Sequence, residues 1–286
     1  MTIRSTADRI IRKSVEGSAM SEAKGTRCGQ RIVAVIDLGD HQLGDDSLFG
    51  GAAAERQDRR FDQPHPIQRF AHRRLAGQPL LLRMAARLSE CQWVDEIYAV
   101  GCNLPDSMTQ LNSAVIRPLS LPTCHLVERV GTIVDRTTPT WVFYVPANRP
   151  FIDAALVDGL LSKASKSERG DYFGYTSRSQ GRIPMEHLGL AGEVCHADAI
   201  RRLRRNADRL SPSQTIAGCL EDAPGNYELN LVPVPDELDR CGLRFAIEDE
   251  QDWDEAHLVC ESVREVDAGW QQVARLVSQK EHLRSV

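Results

Sequence analysis

The chain has 286 residues, of which 42% are hydrophobic and 26% charged, and a net charge of -5. That is enough for one large α/β domain or two small ones. The acidic balance argues against a nucleic-acid binder, which needs a basic excess to displace counterions from the phosphate backbone. No run approaches the roughly 18 apolar residues of a membrane span. The opening Met1–Ser5 and the mixed polar residues after it lack the apolar core of a secretory signal, so no export and a cytoplasmic location are expected.

Residues 1–30 mix charged, Ser and Gly positions without a period and read as a loosely ordered lead-in. Arg31–Ile36 is a continuous β-branched run, the pattern of a parallel strand covered on both faces. Residues 37–66, rich in Gly, Asp and Arg, predict a long loop, and such loops in compact domains are functional or mobile. Pro79–Trp93 carries Leu81, Met84 or Ala85, and Leu88 at helical spacing. Asp95–Gly101 reads as a short strand, Ala114–Ile116 as a third, His125–Asp135 as a helix and Trp141–Val145 as a buried strand. The next helix covers Asp153–Lys166, with Asp153 as its N-cap.

Beyond residue 170 the rhythm changes. Tyr172–Thr176, Gly189–Cys195, Tyr227–Pro233 and Leu243–Ile247 read as strands separated by short helical pieces. A helix from about Asp249 to Val263 and a terminal helix over 268–284 complete the chain. Strands alternating with helices predict βαβ units and a mainly parallel sheet. The expected organisation is a lead-in over 1–30, one α/β domain over 31–265 with a mixed second half, and a C-terminal helix over 266–286.

Several chemistries lack an anchor. The eight cysteines are scattered singly with no Cys-x-x-Cys pair, which removes the zinc-ribbon and thioredoxin-like patterns and suits buried thiols in a reducing compartment. His65 and His72, or the pairs Cys124-His125 and Cys195-His196, offer metal-ligand types, but adjacent residues on a strand face opposite ways, so each Cys-His pair supplies at most one ligand if extended. No Gly-x-Ser-x-Gly elbow and no Gly-x-Gly-x-x-Gly fingerprint occurs. Gly50-Gly51 before Ala52–Arg56 reads either as a phosphate cradle or as a plain loop-to-helix junction. The arginines at 201, 202, 204 and 205 read as a solvated helix face, with a patch for an anionic partner as the alternative.

Four segments, in one order, carry a family likeness: the strand Arg31–Ile36 opening a long loop; Leu75–Leu88 with its Gly77-Gln78-Pro79-Leu80-Leu81 helix start; the turn Pro146-Ala147-Asn148-Arg149-Pro150-Phe151-Ile152; and Leu243–Trp253. Together they resemble the cytidylyltransferases that make CMP-activated sugars, especially the spore-coat-polysaccharide and CMP-octulosonate types. The resemblance implies an α/β three-layer sandwich of the nucleotide-diphospho-sugar transferase (GT-A-like) fold, with a mainly parallel mixed sheet. It implies transfer of CMP from CTP to a sugar acid or sugar phosphate with release of pyrophosphate. It is also compatible with a homodimer.

The resemblance further implies the roles of single residues. Arg69 stands in for a phosphate-binding lysine, and Asn148 stands where the family turn carries a magnesium-binding Asp. Gly77, Arg149, Glu193 and Arg244 fall at substrate-contacting positions; Glu248 takes the place of the second metal carboxylate, with Asp249 beside it as substitute. Asp252 matches a helix-start Asp, as a ligand or as a cap. Asn148 offers Mg²⁺ a neutral oxygen without charge. The sequence therefore leaves two readings: a divergent cytidylyltransferase, and a relative that has lost catalysis and acts as a binding or scaffold protein in polysaccharide biosynthesis. A glycosyltransferase on a similar sandwich would need an Asp-x-Asp metal motif after a strand, and none occurs there.

Overall fold

The computed structural model describes residues 29–39, 70–102, 116–121, 125–178, 188–210, 215–223, 227–239, 243, 245–262 and 269–284. Seven of the strands form one sheet: β1 (Ile32–Asp37), β4 (Glu96–Cys102), β5 (Arg117–Leu121), β6 (Trp141–Pro146), β7 (Tyr172–Thr176), β8 (Glu193–His196) and β9 (Leu229–Pro233). β2 (Arg74–Leu75) and β3 (Gln78–Pro79) make a separate hairpin. The helices are α1 (Leu80–Ser89), α2 (Leu126–Thr137), α3 (Ala154–Lys166), α4 (Ala197–Arg204), α5 (Ile216–Asp222), α6 (Glu250–Ser262) and α7 (Trp270–Arg284). The sheet order is β5-β4-β1-β6-β8-β7-β9. β8 runs antiparallel to both neighbours and every other pairing is parallel.

Period-two alternation in buried strands divides the core into two layers. Ile32, Ala34 and Ile36 of β1 face one side with Leu81, Met84 and Leu88 of α1 and Leu160 and Leu161 of α3. Val33 and Val35 face the other, against Val127, Val130 and Val134 of α2 and Ile200 and Leu203 of α4. The result is the helix–sheet–helix sandwich expected from the alternation of elements. A third cluster, including Leu190, Phe245 and Val259, seats α7 through Trp270 and Val273. Among the described residues no helix is long and apolar enough to cross a membrane. Cys91, Cys195, Cys219 and Cys260 are buried and unbridged, in keeping with their reading as small hydrophobes.

Most elements lie within a few residues of their predicted positions; three corrections have physical reasons. The third strand of the sheet is Arg117–Leu121; of the predicted Ala114–Ile116, residues 114 and 115 lie outside the described residues and Ile116 immediately precedes the strand. It contains Pro118, which removes a ladder donor and reads as a strand breaker, yet the strand is at the sheet edge where that loss is tolerated. Leu243–Ile247 is not in the sheet, because the Ile247 amide donates to the carbonyl of Asn148 (2.9 Å) instead of to a ladder partner. β8 is shorter than the predicted Gly189–Cys195. A Cβ on Gly192 would lie 2.1 Å from the Tyr144 carbonyl oxygen, so glycine lets the two backbones come together as β8 begins.

The predicted cap at Asp153 does more than start one helix. Oδ1 accepts from the amides of Ala155 (2.9 Å) and Leu156 (3.2 Å) at the start of α3. Oδ2 accepts from the amide of Trp270 (2.9 Å) at the start of α7. One buried carboxylate therefore serves two helix N-termini, whose partial positive charge favours an anion. Asp153→Ala should lower unfolding free energy by about 2–4 kcal/mol, from the lost cap and the stranded Trp270 amide. Urea denaturation measures it, with Asp153→Asn falling between the wild type and Asp153→Ala.

Candidate active site

The chain runs from β1 outward to β4 and β5, then returns to place β6 on the other side of β1. The carboxyl ends of β1 and β6 thus flank a topological switch point, where open α/β sheets form a ligand crevice. Asp37 closes β1 opposite Pro146, and its carbonyl accepts from the Ala147 amide (2.8 Å). The Asp37 carboxylate is buried and receives four bonds. They come from Arg129 Nε (2.9 Å) and Nη2 (2.7 Å), the Tyr144 hydroxyl (3.1 Å) and the Gly39 amide (3.1 Å). Arg129, buried as well, reaches down from α2 in the forked geometry that suits a carboxylate. Burial first, and then the charge of Asp37, push the Tyr144 hydroxyl well above its ordinary range, so it stays a proton donor.

After β6 the chain turns through Ala147–Pro150 into α3. Asn148 is 6% exposed; its Nδ2 donates to the Ile247 carbonyl (3.0 Å), while the Ile247 amide donates back to the Asn148 carbonyl. This pair of bonds brings the turn against the segment that carries Glu248 and Asp249. Oδ1 of Asn148 is buried and meets no hydrogen-bond donor among the described residues. Asp249 caps α6, accepting from the Asp252 amide (2.8 Å), and Asp252 accepts from the Glu248 amide (2.8 Å). Capping is therefore the role the structure gives Asp252, and Glu248 is exposed.

Next to the turn is a small pocket open to solvent. Pro146, Arg149, Tyr172, Tyr175, Glu193 and Thr215 contribute to its wall. Glu193 is buried and accepts from the Tyr172 hydroxyl (2.8 Å) and the amides of Ile216 (2.9 Å) and Ala217 (2.8 Å). Its carboxylate therefore ties the start of α5 to the pocket floor. Burial and then the Asp153 charge push the Tyr175 hydroxyl up to about 12, and it donates to the Leu156 carbonyl (2.9 Å).

The structure thus gathers Asn148, Glu248 and Asp249 at one junction and Arg149 and Glu193 at one pocket. Gly77 is elsewhere, in the β2–β3 turn, where φ is +49° at Ala76 and +82° at Gly77. Two positive φ values demand a type I′ hairpin turn with glycine second. Arg69, Arg244 and Gly50-Gly51 lie outside the described residues. Among the described residues no three His, Cys, Asp or Glu side chains gather to hold a metal. One neutral oxygen at Asn148 and one exposed carboxylate at Glu248 do not suit a resident ion.

Sequence reading missed Asp37, Arg129 and Tyr144. The signal was present: Arg129 interrupts the apolar face made by Leu126, Val130 and Ile133, and Asp37 ends a fully buried strand. Two opposite charges on predicted core faces imply a buried pair. The arginine run at 201–205 is also drawn into the fold: Arg202 pairs with Asp171, and Arg204 bridges Glu128 (2.7 Å) and Asp135 (2.5 Å) on α2. Arg129→Ala should destabilise by about 3–5 kcal/mol, because Asp37 keeps a buried charge without its counter-ion. Urea denaturation should give a smaller loss for the double variant Asp37→Asn/Arg129→Met than the sum of the single losses.

No protein-family model and no curated protein matches the chain. Solved structures do. A cytidylyltransferase from Leptospira borgpetersenii superposes with a TM-score of 0.62 at 11% identity, covering 88% of this chain and 94% of its own. CMP:2-keto-3-deoxy-manno-octonic acid synthetase complexed with CTP gives 0.51 at 11% identity, covering 81% and 98%. Molybdopterin-guanine dinucleotide biosynthesis protein A from Archaeoglobus fulgidus gives 0.53 at 15% identity, covering 81% and 100%. With its sheet order and single reversed strand β8, the chain has the nucleotide-diphospho-sugar transferase fold.

Proposed function

We propose that the chain is a nucleotidyltransferase of the cytidylyltransferase kind, moving CMP from CTP to a sugar acid or sugar phosphate. The observation that carries this reading is the tight turn at Pro146–Arg149, which leaves the switch point between β1 and β6 and contributes Pro146 and Arg149 to the pocket that Glu193 also lines. Open α/β sheets bind ligands at such a switch point. A donor nucleotide at the switch point and an acceptor in the pocket would meet at the turn, where in-line transfer needs them. An acceptor oxygen, a hydroxyl of the sugar acid or a phosphate oxygen of the sugar phosphate, attacks the α-phosphorus, the bond from it to the oxygen bridging to the β-phosphorus breaks, pyrophosphate leaves, and a hydroxyl nucleophile gives its proton to solvent.

Within this reading Arg69 would approach the phosphates as a planar cation. Gly77 would lie beside the nucleotide, and Arg149 and Arg244 would hold the acceptor's anionic group. Glu193, already bonded on three sides, would shape the pocket and orient a hydroxyl. Asn148 Oδ1 and Glu248, with Asp249 behind it, would meet the Mg²⁺ of the metal–triphosphate; the ion offsets charge that develops on the phosphates. The buried free thiols favour a reducing compartment, hence the cytoplasm.

A second reading has its own observation. Asn148 supplies no charge and Asp249 is engaged as a cap, which favours a relative that binds nucleotide or sugar without turnover. CTP with Mg²⁺ at about a hundred times its Kd should stabilise the fold by about 2.7 kcal/mol, read as a rise in melting temperature. Pyrophosphate release across a panel of sugar acids and sugar phosphates should follow, and Arg149→Ala should cut kcat/KM for the acceptor about 10- to 100-fold. Binding without pyrophosphate release selects the second reading, and no shift at millimolar CTP with Mg²⁺ removes the first.

A further inference from the structure

Where two loops of a sheet edge share a cation, the ion fixes their spacing by bridging oxygens on both. Here the two loops are the turn after β6 and the segment before α6, and protein groups bridge them directly. Asn148 Nδ2 donates to the Ile247 carbonyl at 3.0 Å and the Ile247 amide donates to the Asn148 carbonyl at 2.9 Å. The first bond requires an amide side chain. An aspartate at this 6%-exposed position would set its lone pairs against those of the Ile247 carbonyl, a repulsion that a cation between them, or protonation of the carboxylate, relieves. Because Nδ2 is committed to Ile247, the amide orientation is fixed and Oδ1 is left as the acceptor that has no donor among the described residues. On the facing segment Asp249 and Asp252 are engaged in capping α6.

We infer that Asn148 is a positioning residue that takes over the ion's bridging role, so that the nucleotide edge is assembled before any divalent cation arrives. Its ligand arm rests on the nucleotidyltransferase reading; its structural arm does not. A preassembled edge binds a nucleoside monophosphate without metal, and the cation enters only with the triphosphate.

The test compares wild type and Asn148→Asp, each in EDTA and in Mg²⁺, first without nucleotide and then with CMP. The ligand-free wild type should melt at the same temperature in EDTA and in Mg²⁺. Asn148→Asp should melt lower in EDTA and recover at least about half of the loss in Mg²⁺, a response that a merely structural defect would not give. Wild-type CMP affinity should change by no more than about twofold between the two buffers. That of Asn148→Asp should become Mg²⁺-dependent. A ligand-free wild type stabilised by Mg²⁺ as much as the variant, or a variant as stable as wild type in EDTA, overturns the inference. If Asn148→Asp does not fold in either buffer, the wild-type comparison decides alone. If CMP and CTP fail to bind under every condition, the nucleotidyltransferase reading falls, while the ligand-free melting comparison still decides the bridge.

Discussion

The buried Asp37–Arg129 pair is the interaction on which the carboxyl edge of the sheet depends. Removing two charges from water costs several kcal/mol per ion, and attraction alone rarely offsets it. The four bonds to Asp37 supply the rest, and they come from three parts of the edge. Arg129 fixes α2 over the end of β1, Tyr144 fixes β6 beside it, and Gly39 fixes the departure of the following loop. Because β1 and β6 flank the switch point, these bonds set the crevice before any loop residue is considered. They also change how an acidic residue at the start of that loop is to be read. The charge of Asp37 is answered within the protein, so it does not by itself repel a phosphate.

The same logic extends along one face of the sheet. Asp37, Tyr144, Glu193 and Tyr172 belong to β1, β6, β8 and β7, and Tyr144 stands opposite Glu193 in register. Tyr144 gives its one proton to Asp37, and Tyr172 gives its own to Glu193. A buried polar row therefore crosses an otherwise apolar face from the crevice to the pocket, with each carboxylate satisfied by hydroxyls, amides or a guanidinium. Such rows are costly when incomplete and rigid when complete. Rigidity at this place keeps the switch point and the pocket at a constant spacing.

How much of this could be read from the chain depended on the range of the forces involved. Strands β1, β6 and β7 and helices α1 to α3 follow from short-range patterns: β-branched runs, apolar spacing, and the cap at Asp153. β5 was missed because Pro118 speaks against a strand locally, and only its place at the sheet edge, a long-range fact, permits it. The segment before α6 was misread as a strand because Leu243–Ile247 is apolar enough, yet its backbone finds Asn148 from 99 residues away. The site was legible as separate positions and not as a network. Arg129 and Asp37 are 92 residues apart, and sequence shows only that each is a charge on a core face. The capping roles of Asp249 and Asp252 were half legible, since a carboxylate before a helix reads equally as a cap or as a ligand.

Asn148 bears directly on whether the edge is active or a remnant. A buried acceptor without a donor costs about 1–3 kcal/mol, a substantial part of the margin by which a domain is stable. A small or apolar side chain at this 6%-exposed turn would remove that oxygen but would also strip the Ile247 carbonyl of the donor it has in Nδ2. The bridge to Ile247 uses Nδ2 and does not itself need Oδ1. An oxygen held in place by its own amide, at the border of a crevice and a pocket, is what a ligand donor or a metal-bound water would complete. Within the proposed function, the neutral side chain at Asn148 therefore bears on how a cation would be held, and not on the turn that joins the switch point to the pocket.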